Sequence, residues 1–215
     1  MKVQKIYLIR HGQTDANKTN IYQGVSIDPP LNETGKQQAE LLAKYFRKHY
    51  GSVPVIITSP ARRAYETASA VWRIMATPTV QTMPLPTLII EKDLQEINHG
   101  QWEGKTPDQI KEFDAETQEK WWHGNTFEVA FPGGETIADA YARAQRVFVW
   151  VLNTFPDEDV VIVAHGGTNA LILSSILEAK NPRALSQKNT AINIIERHDG
   201  KYLKIPLIGS TAHLL

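Results

Sequence analysis

The clearest pattern along the chain is a set of short apolar runs, separated by longer segments in which apolar residues recur every three or four positions. Continuous apolar runs are typical of strands buried on both faces, and the longer periodicity is typical of amphipathic helices. The main runs are residues 6–9, 53–57 and 160–164. Strands that alternate with helices in this way predict an α/β layered protein.

The remaining pattern predicts five helices and three further strands. Asn32 is a typical helix N-cap, and Gly51 ends the helix that follows. Segments 17–30 and 131–134 are polar and rich in Pro or Gly, which indicates loops. The predicted helices are 33–50, one that begins near residue 60, 106–122, one from 135 or 136 to 153, and 168–177, and the further strands are an edge strand at 88–90, 191–197 and 202–206.

Composition narrows the class of protein. The 215 residues suffice for one α/β domain, and 23 basic residues balance 23 acidic ones, so no basic surplus favours nucleic acid as a partner. The absence of cysteine excludes disulfides, thiol catalysis and cysteine metal sites. No apolar stretch reaches transmembrane length, and residues 1–5 do not begin a signal peptide. The default expectation is a cytoplasmic protein without a membrane partner.

Several residues with ionisable side chains follow the predicted strands. Arg10 and His11 follow the first strand, Arg63 lies in the helix after the second, and His165 follows the third, while Glu96 lies in a loop. Ligands of open α/β sheets bind at the carboxyl ends of the strands. A fixed cation beside an imidazole can hold a phosphate while a ring nitrogen attacks it. Each residue could instead be an exposed or core side chain, but their shared position favours one phosphate-sized site.

Four segments of the chain, in order, carry a family resemblance. Segment 8–17 includes the tripeptide Arg10-His11-Gly12, and segments 58–68, 94–104 and 164–167 follow it. Together they resemble the motifs of the histidine phosphatase superfamily, also called the phosphoglycerate-mutase-like fold. The resemblance implies a three-layer α/β/α sandwich with a mostly parallel central sheet. It also implies a single domain over residues 1–215, with a lid-like insert around 97–132.

The resemblance implies a role for each matching residue. His11 would be the nucleophile that forms a phosphohistidine, and Glu96 would protonate the leaving oxygen and then activate water. The crowded cations would replace the metal ion that many phosphoryl-transfer sites need, so neither a metal nor another cofactor is expected. The groups expected to hold the phosphoryl oxygens are Arg10, Arg63, a protonated His165, Asn17, Gln23 and the amide of Gly166.

Three functions compete at this point. The first is a phosphomonoesterase acting on a small phosphorylated metabolite, the second is a cofactor-dependent phosphoglycerate mutase, and the third is a non-catalytic regulatory or binding protein on the same fold. Gly166-Gly167 resembles the phosphatase branch, and an insert without arginine has few cations with which to retain a bisphosphate. The filled chemical positions disfavour the third function. The substrate, and the choice between monomer and homodimer, remain open.

Four other residues have no assigned role in the sequence. Glu135 is interpreted as a carboxylate in the first turn of a helix, and Trp121 and Trp122 belong either to the core or to the cover of the site. His99, like the other unassigned histidines, has no metal-ligand spacing.

Overall fold

The computed structural model describes residues 3–77 and 85–215, which include a six-stranded mixed sheet. The strands are β1 (Val3–Arg10), β2 (Val55–Thr58), β3 (Thr87–Ile90), β4 (Val160–Ala164), β5 (Ile192–His198) and β6 (Tyr202–Ser210). Their order is β3-β2-β4-β1-β5-β6. The first four strands of that order are parallel, whereas β5 is antiparallel to both of its neighbours. The predicted α/β fold with a mostly parallel sheet is confirmed.

Helices cover both faces of this sheet. The seven α-helices in the described part of the chain are α1 (Asp15–Lys18), α2 (Glu33–Tyr50), α3 (Arg62–Ala76), α4 (Pro107–Phe113), α5 (Ala115–His123), α6 (Ile137–Thr154) and α7 (Gly166–Leu177). Helices α2 and α3 pack against one face, and α6 and α7 pack against the other. The chain therefore forms the predicted three-layer sandwich.

Strand β1 shows why the buried runs are continuously apolar. Ile6 and Leu8 belong to the core shared with α6 and α7, whereas Tyr7 and Ile9 belong to the core shared with α2 and α3. Successive side chains of a strand point to opposite faces, so a sheet covered on both sides buries every residue. All four of these side chains are at most 1% exposed.

Most predicted elements are confirmed, with shifted ends. Asn32 caps α2 by accepting a hydrogen bond from Gly35 N at 2.9 Å, and β3 is an edge strand as expected. Helix α7 begins two residues earlier than predicted, and β6 extends four residues further. The segment predicted to be irregular overlaps α1, whose N-cap Thr14 forms a capping box with Asn17.

The helix predicted over 106–122 is wrong, because the structure divides it into α4 and α5. Asp114 separates them with φ −145° and ψ 51°, which is not a helical conformation. Its Oδ2 accepts a hydrogen bond from Nε1 of the buried Trp102 at 2.7 Å. A tertiary contact that periodicity does not encode therefore accompanies the break. Among the described residues, no helix combines the length and apolarity needed to span a bilayer.

Candidate active site

The ends of the three central strands meet at one edge of the sheet. Arg10 pairs with Ala164 across β1 and β4, and His11 N donates to the Ala164 carbonyl at 3.0 Å. Ser59, which follows β2, donates its N–H to the Val163 carbonyl at 3.1 Å. The residues after these strands are therefore neighbours, and the rings of His11 and His165 lie 5.2 Å apart.

A cavity of about 240 Å³ opens at this edge. Seven of the eight residues predicted for the site line it: Arg10, His11, Asn17, Gln23, Arg63, Glu96 and Gly166. The eighth, His165, is fully buried and packs against His11. The structure thus brings all eight residues together.

The ring of His11 is oriented by its own loop. Its Nδ1 lies 2.7 Å from the Gly12 carbonyl, which only accepts, so Nδ1 carries the proton and Nε2 carries a lone pair. Burial lowers the pKa of His11 well below its ordinary value, and the charges of Arg10 and Arg63 lower it further. At neutral pH this buried imidazole is uncharged and has a nucleophilic nitrogen.

Gly12 is needed for close packing rather than for an unusual turn. A Cβ at this position would lie 2.7 Å from the Gly35 carbonyl oxygen in α2. The Gly12 N–H donates a hydrogen bond to Thr67 Oγ1 at 3.0 Å, and that hydroxyl donates to the Arg63 carbonyl at 2.8 Å. The nucleophile loop is therefore tied to both α2 and α3.

The two arginines are held mainly by backbone carbonyls. Arg10 donates to the Gln187 carbonyl. Arg63, which is fully buried, donates to Gly24 O at 2.9 Å and Ile27 O at 3.2 Å, and its Nη1 lies 3.2 Å from Asp28 Oδ1. Nε of each arginine is buried without a protein partner. Both guanidiniums thus keep donors available for an anion.

Glu103 holds the loop that supports Arg63. The carboxylate accepts hydrogen bonds from the amides of Val25, Ser26 and Ile27, and from His99 N at 3.1 Å. Burial raises the pKa of Glu103, but the bonds from Ser26, Val25 and His99 outweigh that effect and lower it overall. The carbonyls that receive Arg63 therefore lie on a loop fixed by a buried carboxylate.

His165 differs from expectation in its charge. Its Nε2 lies 2.8 Å from Ser59 Oγ, whereas its Nδ1 is buried without a partner. Burial lowers the pKa of His165 well below its ordinary value, and Arg63 lowers it further. A His165 ring with this lowered pKa is uncharged at neutral pH, in contrast to the expected third positive charge.

Glu96 lies at the N-terminus of α7. Its carboxylate accepts hydrogen bonds from the backbone N–H groups of Gly167 at 3.1 Å and Thr168 at 3.0 Å. A Cβ on Gly167 would lie 2.7 Å from Glu96 Oε1 and 2.6 Å from Ile97 Cδ1, so glycine is required for this approach. Glu96 accepts from the second and third N–H groups of α7. Gly166, which provides the first, lines the cavity, and its N–H has no acceptor in the described part of the chain.

Two side-chain amides present donors to the cavity. Thr14 Oγ1 donates to Gln23 Oε1 at 3.0 Å, and Asn17 Oδ1 accepts from Thr14 N and Asn189 Nδ2. The amide oxygens are thus engaged, and the NH₂ groups of Asn17 and Gln23 have no acceptor among the described residues. Donors of this kind suit an anionic ligand.

Glu135 is not the first-turn carboxylate that the sequence suggested. It precedes the N-cap of α6 and forms an ion pair with Arg143 at 2.6 Å, where both side chains are largely buried. Glu135 also accepts from Asn98 N at 3.0 Å, and Arg143 donates to the carbonyls of Asp93 and Gln95. The pair clamps the segment that carries Glu96.

Several residues of the cavity wall carried no functional signal in the sequence. His99, Tyr22 and Arg183 line the cavity with Trp121, whereas Trp122 is 44% exposed. Burial lowers the pKa of His99, so its ring is neutral. Residues 3–77 and 85–215 contain no group of three or more histidines or carboxylates placed to hold a metal ion.

A neutral histidine beside the buried Arg63 and the half-buried Arg10, at the carboxyl edge of an α/β sheet, defines a site for binding and transferring a phosphoryl group. The model of the histidine phosphatase superfamily (branch 1) matches residues 6–205, and the chain belongs to this family.

Relatives agree with this assignment. The chain is 30% identical over 176 residues to a bifunctional protein of Mycobacterium tuberculosis, covering 82% of this chain but only 42% of that relative. It is 31% identical over 161 residues to phosphoserine phosphatase 1 of Hydrogenobacter thermophilus, covering 75% of this chain and 70% of that one. The solved structure of YhfR from Bacillus stearothermophilus is 28% identical, with a TM-score of 0.85 and coverage of 99% and 100%.

Proposed function

We propose that the protein is a phosphomonoesterase that hydrolyses a small phosphorylated metabolite through a phosphohistidine on His11. The observation that carries this proposal is the neutral imidazole of His11, whose Nδ1–H is bonded to Gly12 O and whose Nε2 has no partner among the described residues. The site lies on a single domain, residues 1–215, with residues 97–132 acting as its cover. Ile97, His99, Trp121 and Thr126 from that insert support the covering role because they line the cavity.

In the first step, the Nε2 lone pair of His11 forms a bond to phosphorus. The bond between phosphorus and the ester oxygen breaks, its electron pair goes to that oxygen, and protonated Glu96 supplies the proton. Arg10, Arg63 and the donors of Asn17, Gln23 and Gly166 stabilise charge on the phosphoryl oxygens. His165 donates a hydrogen bond to the phosphoryl group through Nδ1. This is the ring nitrogen that has no partner in the described protein, because Nε2 lies beside Ser59 Oγ.

In the second step, water attacks the phosphohistidine. The oxygen of water bonds to phosphorus, the bond between nitrogen and phosphorus breaks, and the electron pair returns to His11 Nε2. Glu96 accepts the proton that water loses, which restores the acid for the next cycle. The products are an alcohol and inorganic phosphate, and no metal ion takes part in the proposed steps.

The cavity wall supports hydrolysis over mutase activity. Lys105, Lys111 and Lys120, the lysines of the insert, do not line the cavity. Lys105 donates to Gln101 O, and Lys120 pairs with Glu116 on the surface. A mutase must retain a bisphosphate and exclude water while the phosphoryl group returns. Beyond Arg10 and Arg63, Arg183 is the single cation that lines the cavity in the described chain, and no cation of the insert joins it. The likeness to a phosphoserine phosphatase supports the same choice.

A paired assay tests the activity. The wild-type protein should release phosphate from an aryl phosphate, and His11→Asn should lose nearly all turnover while unfolding at the same urea concentration. His123→Asn is the matched control, because His123 is exposed and lies at the end of α5, and it should retain full activity. Normal turnover in His11→Asn would contradict the proposal.

The mutase alternative requires a separate assay. Incubation with 3-phosphoglycerate and a catalytic amount of 2,3-bisphosphoglycerate should produce inorganic phosphate and little isomer. Rapid isomerisation with negligible phosphate release would establish a mutase instead.

A further inference from the structure

The cavity contains one charged side chain that the proposed mechanism does not use. Arg183 lies in the 3₁₀ turn Pro182–Leu185, which follows α7, and it lines the same cavity as His11 and Glu96. Its Nη1 donates to the Trp121 carbonyl at 2.8 Å. A guanidinium has five N–H donors, and this is the only bond that the guanidinium of Arg183 donates to another described residue. Donors therefore remain for a ligand.

Two tryptophans orient the plane of this guanidinium. The Arg183 Cζ atom lies 3.5 Å from the ring centroid of Trp122 and 5.1 Å from that of Trp121. Arginine stacks favourably on aromatic rings, and an oriented guanidinium loses less conformational entropy when it binds an anion. The stack also gives Trp122, which is 44% exposed, a packing partner.

Arg183 has no anionic partner in the part of the chain that the structure describes. By contrast, the exposed Arg62 and Arg73 form ion pairs with Glu66 and Glu40, each at 2.7 Å. Arg183 is half-buried, whereas Arg62 and Arg73 are exposed, and among residues 3–77 and 85–215 it forms no ion pair. A partly buried cation without a counter-charge favours an anionic ligand.

The cavity wall also includes apolar and aromatic side chains. Tyr22, Ile97 and Leu171 line the cavity that Arg183 shares with the phosphoryl-binding groups. A ligand that reaches both regions would have a phosphoryl group at one end, a short chain in apolar contact, and a second anion at the other end.

We propose that Arg183 forms a second anion subsite, which selects phosphate esters whose alcohol portion carries a carboxylate or a second phosphoryl group. This inference rests on the proposed phosphomonoesterase function and specifies its substrate class. The competing explanation is that Arg183 only tethers the insert to the core, through the Trp121 carbonyl and the tryptophan stack.

Binding of inert phosphonates tests the subsite without requiring turnover. Titration calorimetry would compare 3-phosphonopropionate, 4-phosphonobutyrate and 5-phosphonopentanoate with alkylphosphonates of the same chain length. Alkanediphosphonates of matched length distinguish recognition of a carboxylate from recognition of a second phosphoryl group. Wild-type protein should bind at least one doubly anionic ligand about 10- to 100-fold more tightly than its alkyl counterpart, as expected for hydrogen bonds to a charged group.

Substitution of Arg183 separates the two explanations. Arg183→Gln should abolish the preference for the second anion while changing the affinity of the alkylphosphonates by less than about threefold, since their phosphonate contacts remain. Arg73→Gln is the matched control, because it removes the same charge from an exposed ion pair, and it should preserve the preference. A tether alone predicts that Arg183→Gln weakens both ligand classes equally.

Kinetics provide an independent readout. In wild-type protein, kcat/KM for 3-phosphoglycerate should exceed that for glycerol 3-phosphate, and Arg183→Gln should remove this difference mainly through KM. If the protein binds the doubly anionic phosphonates selectively but hydrolyses no ester, the proposed function fails and the subsite stands. The inference is overturned if wild-type protein shows no preference or no binding, or if the preference survives in Arg183→Gln.

Discussion

The buried ion pair between Arg143 and Glu135 gives a quantitative prediction. We expect Glu135→Gln to destabilise the protein and to displace the segment that carries Glu96. Arg143 is 8% exposed and Glu135 is 17% exposed, and their charged atoms lie 2.6 Å apart. Removal of one partner leaves the other charge buried without compensation.

The structure sets the size of this effect. Breaking a buried pair costs about 3–5 kcal/mol. We expect about 3 kcal/mol, at the lower end of that range, because Arg143 keeps its bonds to the Asp93 and Gln95 carbonyls. The exposed pair of Arg73 and Glu40 has nearly the same separation, 2.7 Å, but side-chain exposures of 64% and 44%. Glu40→Gln should therefore cost no more than about 1 kcal/mol.

Urea unfolding at pH 7 measures both variants against wild type. The two substitutions remove the same charge from pairs of similar length, so the difference between them reports burial. Glu135→Gln should also lower kcat for alkyl phosphates more than for aryl phosphates, since only the former depend strongly on a well-placed Glu96. Equal free energies of unfolding for the two variants, with unchanged kcat, would refute the reasoning.

Further predictions concern the proton donor, its helix contact, a buried histidine and metal ions. Glu96→Gln should slow hydrolysis of alkyl phosphates by about 10²–10⁴-fold and aryl phosphates less, and equal losses in steady-state assays would move the role elsewhere. Gly167→Ala should show the same leaving-group pattern, because its Cβ would clash with Glu96 Oε1. Burial lowers the pKa of His213 from 6.5 to about 4. The contribution of His213 to the free energy of unfolding is full above pH 6.5 and falls by about 3 kcal/mol as the pH drops to 4. The free energy of unfolding in urea should therefore depend less on pH in His213→Gln than in wild type. Activity should persist in chelator and be inhibited by vanadate, whereas loss in chelator with recovery on adding a divalent ion would contradict metal independence.

The parts of the fold and site that depend on local pattern could be predicted from the sequence. Buried parallel strands are visible in the sequence as apolar runs. Because the carboxyl ends of such strands meet at one edge of the sheet, the proximity of Arg10, His11 and His165 could be predicted. The amphipathic face of α6 was equally visible. The apolar residues that recur every three or four positions along this helix are buried: Ala140, Ala144, Val147, Phe148 and Val151.

Features that depend on tertiary contacts could not be predicted. The interruption between α4 and α5 accompanies a hydrogen bond from Trp102 to Asp114, two residues that no periodicity connects. Arg183 reaches the cavity from a 3₁₀ turn and stacks on a tryptophan about 60 residues earlier in the chain, so its position is a property of the fold. The neutrality of His165 likewise follows from burial and from Arg63, which the spacing of residues does not report.

The central claim is that His11 carries the phosphoryl group. The Glu96→Gln variant is suited to trapping the phosphohistidine intermediate. It should slow attack by water on the phosphoenzyme, while an aryl leaving group still departs. After rapid quenching in alkali, where phosphohistidine is stable, peptide mass spectrometry should find one phosphoryl group on His11. The adduct should be lost on acid treatment and absent from Glu96→Gln combined with His11→Asn. Turnover without any phosphoenzyme, or a phosphoryl group on another residue, would contradict the account.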